Sequence, residues 1–190
     1  MNFKYTFSKQ TTLRINYRGR TTQPSMTDLY SKNDISDPLN IRLTNPNLKP
    51  SFNNNISATF NTYFTETLRS FNANFSYSNT INSTTRIVTY DENTGGRTTQ
   101  PTNVNGNWRI NGSFTFSTPL SNKKFTVNTY TNANYGNSVG FTVLNKESDA
   151  VKSNTTNLFL SERLKGNYRS DLIDCELSAG IRYQKSEHSI

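Results

Sequence analysis

Hydrophobic and polar positions alternate strictly over residues 107–117. Trp108, Ile110, Gly112, Phe114 and Phe116 fall on one side of an extended chain, and Asn107, Arg109, Asn111, Ser113, Thr115 and Ser117 on the other. The pattern recurs along the chain and predicts about eight β-strands, at 2–8, 12–20, 52–65, 69–90, 107–117, 123–141, 151–164 and 170–185, with no convincing helix. The apolar sets include Phe3, Tyr5 and Phe7; Leu13, Ile15 and Tyr17; Phe71, Ala73, Phe75 and Tyr77; and Ile173, Cys175, Leu177, Ala179, Ile181 and Tyr183. Short turns are expected near 8–10, 66–67, 118–122 and at Gly166-Asn167. Long connections fall between them, at 21–50, at 91–102 around Gly95-Gly96, and through 145–149.

Two architectures satisfy such a pattern. A soluble sandwich covers the apolar face with a second sheet; a membrane barrel turns it to lipid and keeps the polar face around water. Most of the expected strands reach the ten or so residues needed to cross a tilted bilayer path, where strands of soluble sheets usually run about five or six. Alternation alone leaves both open.

Composition sharpens the contrast between the faces. Only 32% of the 190 residues are hydrophobic and mean hydropathy is −0.76, yet 12% are aromatic, which argues against disorder. Asn and Thr exceed a quarter of the chain. Asn is normally depleted from strands, so its abundance within alternating segments indicates a hydrated wall. No run approaches a membrane helix, a test to which barrel strands are blind.

Twenty-one Lys and Arg against 13 Asp and Glu give a net charge of +8. The basic residues are scattered singly and form no stripe, so a nucleic-acid partner is not expected. Arg on a pore wall, or basic loops beside anionic headgroups, accounts for the same charge. The single cysteine, Cys175, rules out an intrachain disulfide framework, and the one histidine, His188, is remote from it in sequence. Nothing resembles a nucleophile–base pair, a phosphate-cradling glycine loop or a metal-ligand set; neither enzymatic activity nor a cofactor is expected. The first residues, Met1-Asn2-Phe3-Lys4-Tyr5-Thr6-Phe7, lack signal-peptide character and begin the alternation at once. An exported protein with this start is expected to be a mature chain or a segment of one.

The first long connection decides between the architectures. Arg20-Thr-Thr-Gln-Pro24-Ser-Met-Thr-Asp-Leu29 is followed by Asp37-Pro38 and then by Asn45-Pro46-Asn47-Leu48-Lys49-Pro50 at the return into a strand. This resembles the barrel of TonB-dependent outer-membrane receptors, especially the large outer-membrane β-barrel family of the Bacteroidetes, with Thr44 where Gly is usual and Ser51 where Glu is usual. In physical terms, Pro24, Pro38, Pro46 and Pro50 lock φ and remove donors, keeping the segment extended and out of the ladder. Gly19-Arg-Thr-Thr-Gln-Pro24 recurs as Gly96–Pro101, but the flanks differ, which speaks against a repeat.

The resemblance implies an all-β, antiparallel, up-and-down transmembrane barrel segment over 1–190, with long extracellular loops and with neither plug nor signal peptide. It implies a Gram-negative outer-membrane location, contact with outer-membrane lipid, import of an unidentified nutrient, and coupling to TonB through a plug not in this chain. A self-contained eight-stranded barrel and a soluble β-sandwich binding or adhesion module are the alternatives. By parity Arg109, Asn111, Asn128, Tyr130 and Arg182 are the lumen-facing candidates.

Overall fold

A computed structural model describes residues 1–30, 33–91, 93–120, 124–142 and 150–189. Eight strands form one antiparallel sheet: β1 (Asn2–Ser8), β2 (Thr11–Thr22), β4 (Ser51–Phe64), β5 (Arg69–Ile81), β8 (Asn107–Pro119), β9 (Phe125–Thr142), β10 (Val151–Arg169) and β11 (Asp174–Ser189). They pair in chain order, β1-β2-β4-β5-β8-β9-β10-β11, so each strand returns beside its predecessor. A separate three-stranded sheet, in the order β3-β7-β6, is built from β3 (Asn40–Arg42), β6 (Ser83–Tyr90) and β7 (Arg97–Val104). These three strands come from the two long connections, 23–50 and 82–106, so the small sheet sits at one end of the large one.

The pattern located the large sheet well, with four local corrections. The strand expected at 69–90 is two strands in different sheets, broken at Asn82. Alternation fades after Tyr77, and Asn82 adopts φ 51, a left-handed conformation that Asn tolerates better than most residues. No Gly or Pro announces the break. The connection expected at 91–102 is shorter, because Arg97 already enters β7. Gly166 and Asn167 continue β10 opposite Leu177 and Glu176; the turn lies at 170–173, where Ser170 Oγ accepts from the Ile173 N–H at 3.1 Å. A five-residue helix, α1 (Met26–Tyr30), lies in the first long connection. The turn at 118–122 falls partly, and the connection through 145–149 wholly, outside the described residues.

The large sheet has no covered apolar face. Phe3, Ile15, Phe75, Phe114, Leu164, Leu177 and Ile181 are all exposed on it. The accessible surface is 13388 Å², against about 9,200 Å² expected of a compact soluble monomer of this mass. Buried hydrophobic side chains among the described residues are Leu48, Val104 and Val139, and they gather where the small sheet meets the long-loop end of β9. A sandwich would need a second sheet across the apolar face, and none of the described strands lies there.

Aromatic rings cluster on that face. Toward the short-turn end, Phe7 meets Phe60 (6.5 Å between ring centres), Phe60 meets Phe71 (6.2 Å), and Phe125 meets Tyr168 (4.5 Å). Toward the long-loop end, Trp108 stands edge-on to Tyr135 at 5.2 Å. Phe75 and Phe114 stand on the same face between these groups, so rings run along the whole height of the sheet.

Candidate functional site

The face opposite the rings is a continuous polar wall. One transverse row runs Asn2, Asn16, Ser57, Ser76, Asn111, Asn134, Phe159 and Gln184 across all eight strands. Extended backbone places every second residue here, and direct cross-strand opposition brings the short amides within bonding reach. Asn111 Nδ2 donates to Ser76 Oγ at 3.1 Å, and Asn134 Nδ2 donates to Asn111 Oδ1. Thr59 Oγ1 donates to Asn74 Oδ1 at 3.0 Å, and Ser186 Oγ to Asn157 Oδ1 at 2.8 Å. Side chains bonded to one another leave a wall that is polar yet ordered.

Register puts all five parity-selected residues on this wall, but not at one spot. Tyr130 and Arg182 line a cavity of about 580 Å³ with Asn132, Ser161 and Arg163. Asn111 lines a neighbouring one of about 470 Å³ with Asn74, Asn132, Asn134 and Phe159. Asn132 borders both, so they form one groove. Asn128 is buried and lies closer to the short turns, in a cavity of about 720 Å³ beside the Lys165–Glu176 (2.8 Å) and Arg169–Asp174 (3.0 Å) ion pairs. Arg109 stands apart, opposite Ser78 and Gly136.

Parity overlooked Phe159. It is half-buried and apolar on an otherwise polar wall, and the Arg182 guanidinium lies over its ring at 5.7 Å from the centre. The signal was available: Phe159 follows Leu158 and precedes Leu160, so one of the three had to break alternation. With Tyr130 and Arg163 across the groove, the site offers ring faces, amides and guanidinium donors. That set suits polar, partly anionic solutes.

The family-motif loop does a different job. Asn45 Nδ2 donates to Pro101 O at 3.0 Å, the Asn45 N–H to Asp28 O at 2.7 Å, and the Asn47 N–H returns to Asn45 Oδ1 at 3.0 Å. Leu48 is buried, and Lys49 is bonded to Asn103 through both its N–H and its carbonyl. Asp37 Oδ1 accepts from the Leu39 N–H at 2.9 Å and so shapes the Asp37-Pro38 turn into β3. Pro24 and Leu29 are half-buried around α1, whereas Arg20 lies in β2 opposite Asn53, and Pro46 and Pro50 are exposed. Most of these residues therefore clasp the small sheet to the large one. Thr44 needs no left-handed backbone; its N–H and hydroxyl both donate to Asn33 Oδ1, at 3.0 and 3.3 Å.

An uncovered face rich in rings, backed by a polar wall of meandering strands, is the build of a membrane barrel wall. A profile of the outer membrane protein beta-barrel family matches residues 1–187. The chain belongs to that family. No curated protein matches it significantly. Family membership makes this sheet the wall of an outer-membrane barrel, with one ring-bearing face and one Asn-rich face.

Proposed function

We propose that this barrel serves a TonB-dependent receptor that imports a nutrient across a Gram-negative outer membrane, with the Asn-rich wall facing the lumen and the small sheet outside the cell. The observation that carries this reading is the bare ring-lined face backed by an ordered polar wall. The Arg20–Pro50 resemblance supports the receptor type. So does the open sheet: β1 and β11 are its two edges and do not pair with each other, which favours a barrel of more than these eight strands over a self-contained one.

Two measurements separate the levels of this reading. In a Cys175→Ser background, single cysteines at 109, 130 and 182 should react with a membrane-impermeant maleimide. A fluorophore attached to a single cysteine at 110, 114 or 133 should instead be quenched by lipid-borne quenchers; the reverse pattern overturns the barrel orientation. For transport, strains lacking either this gene or TonB should lose uptake of the same nutrient. Unchanged uptake in the gene knockout, across a nutrient panel on which the TonB strain fails, removes the receptor reading and leaves the barrel standing.

A further inference from the structure

Away from the wall, the small sheet carries a second cavity, of about 370 Å³. Register places three arginines on the face that lines it. Arg42 of β3 stands beside Thr99 of β7, Arg97 lies two residues before Thr99 on the same strand, and Arg86 of β6 pairs with Pro101 two residues after it. The three arginines thus come from three different strands and border one cavity.

Two carboxylates also border the cavity, and both are engaged within the chain. Asp28 Oδ2 accepts from Ser25 Oγ at 2.8 Å; Asp34 Oδ1 accepts from the Ser36 N–H at 3.2 Å and from Ser36 Oγ at 2.5 Å. None of the three arginines forms an ion pair among the described residues. Two of the three are anchored, one by its side chain and one by its backbone. Arg97 Nε donates to Asn40 Oδ1 at 3.0 Å, and the Arg42 backbone is paired in both directions with Asp34 at 2.9 Å. Three guanidinium groups against two carboxylates leave the lining of this cavity with one positive charge in excess, and an excess gathered by folding favours an anion.

We propose that the face formed by Arg42, Arg86 and Arg97 binds a phosphate monoester. Guanidinium groups arriving from three strands suit a tetrahedral dianion better than a single planar carboxylate, and each fork can give two bonds to it. The cavity exceeds what a bare phosphate fills, so a body the size of a sugar fits behind the phosphate. The ester's source is either a free solute or a lipid headgroup of the surrounding membrane. This inference is independent of the transport reading.

The test is titration of the full chain in detergent with glucose 6-phosphate, with glucose as the neutral control, and of the chain in nanodiscs with and without phosphatidic acid. Wild type should bind the phosphate ester and not glucose, more weakly as salt rises. Arg86→Gln and Arg97→Gln should each weaken binding about tenfold or more, while Arg86→Lys, which keeps the charge but not the fork, should lose less. Response to glucose 6-phosphate alone assigns a free solute; response to phosphatidic acid alone assigns a lipid. Failure to bind either ester overturns the proposal, as does equal binding by the Gln variants with the sheet intact by circular dichroism. If a Gln variant unfolds, Arg86→Lys decides in its place: a measurable loss supports the site, and wild-type affinity overturns it.

Discussion

Asn103 grips the peptide of Lys49 from both sides. Its Oδ1 accepts from the Lys49 N–H at 2.8 Å and its Nδ2 donates to the Lys49 carbonyl at 3.1 Å, while the same Nδ2 reaches Asn82 O at 2.9 Å. A side-chain amide here does what a neighbouring strand does in a ladder. It joins the end of the proline-rich connection to the point where the chain leaves the large sheet for the small one.

Asn103→Ala removes all three bonds and should cost on the order of 2 kcal/mol in the junction, at about 1 kcal/mol per bond with partial water replacement. Limited proteolysis should then cut within 23–50 faster than in wild type, with the large sheet unaffected. Asn103→Asp keeps the acceptor and should fall between the two. Unaltered proteolysis of Asn103→Ala would show that the clasp is dispensable.

Gly106 has φ +118, and a Cβ there would meet Val139 Cγ2 at 2.9 Å. Gly106→Ala meets both a backbone penalty and a collision with one of the few buried hydrophobic side chains, and should lose about 1–3 kcal/mol. Gly112, where an added Cβ has open space and no positive φ, is the control and should tolerate alanine. Thermal unfolding in detergent compares them; equal midpoints would contradict the packing described at the small-sheet junction.

Adjacent positions on β8 should respond oppositely to charge. Phe114→Lys puts an ammonium group on the ring-bearing face and should cost about 2–4 kcal/mol if it lies at bilayer mid-depth, whereas Ser113→Lys points into water and should cost little. Yield of membrane-inserted, urea-resistant protein reports the difference. Equal yields would argue against lipid on that face.

Arg163 and Arg182 lie on the same groove of the polar wall. Replacing both with Gln should lower anion preference in the reversal potential of the reconstituted barrel, because cationic groups on a narrow aqueous wall concentrate anions. Arg182→Gln also removes the cation over the Phe159 ring. A reversal potential that does not move would place both groups away from the conducting path.

The Asp34 carboxyl is held below the usual carboxylate range, first by its hydrogen bonds from Ser36 and then by the Arg42 charge, with desolvation opposing. A depressed value in the folded state means that its contribution is complete above the ordinary Asp value of about 4 and fades as pH drops through the lower folded value. Hydrogen exchange of residues 33–42 should therefore accelerate on acidification below about pH 4, beyond the intrinsic rate change. Asp34→Asn should remove that dependence; a variant with the same acid response would assign it elsewhere.

Much of this architecture is written in period 2. The alternation through Trp108, Ile110, Phe114 and Phe116, and its counterparts, determined eight strands, the composition of their two faces and the wall position of Arg109, Asn111, Asn128, Tyr130 and Arg182, because side-chain direction in a strand follows from parity alone. Long-range contact decided the rest. Asn82 became the exit from the large sheet because Asn103 and Asn105 bond its backbone, a relation between segments about twenty residues apart that no local propensity encodes. The Asn45–Lys49 motif was visible as a motif, but its partners, Pro101 and Asn103, lie more than fifty residues away. The arginine cluster depends likewise on β3 pairing parallel to β7, which brings Arg42 beside Thr99 across the fold. Parity fixes which way a side chain points, and only strand pairing fixes what stands next to it.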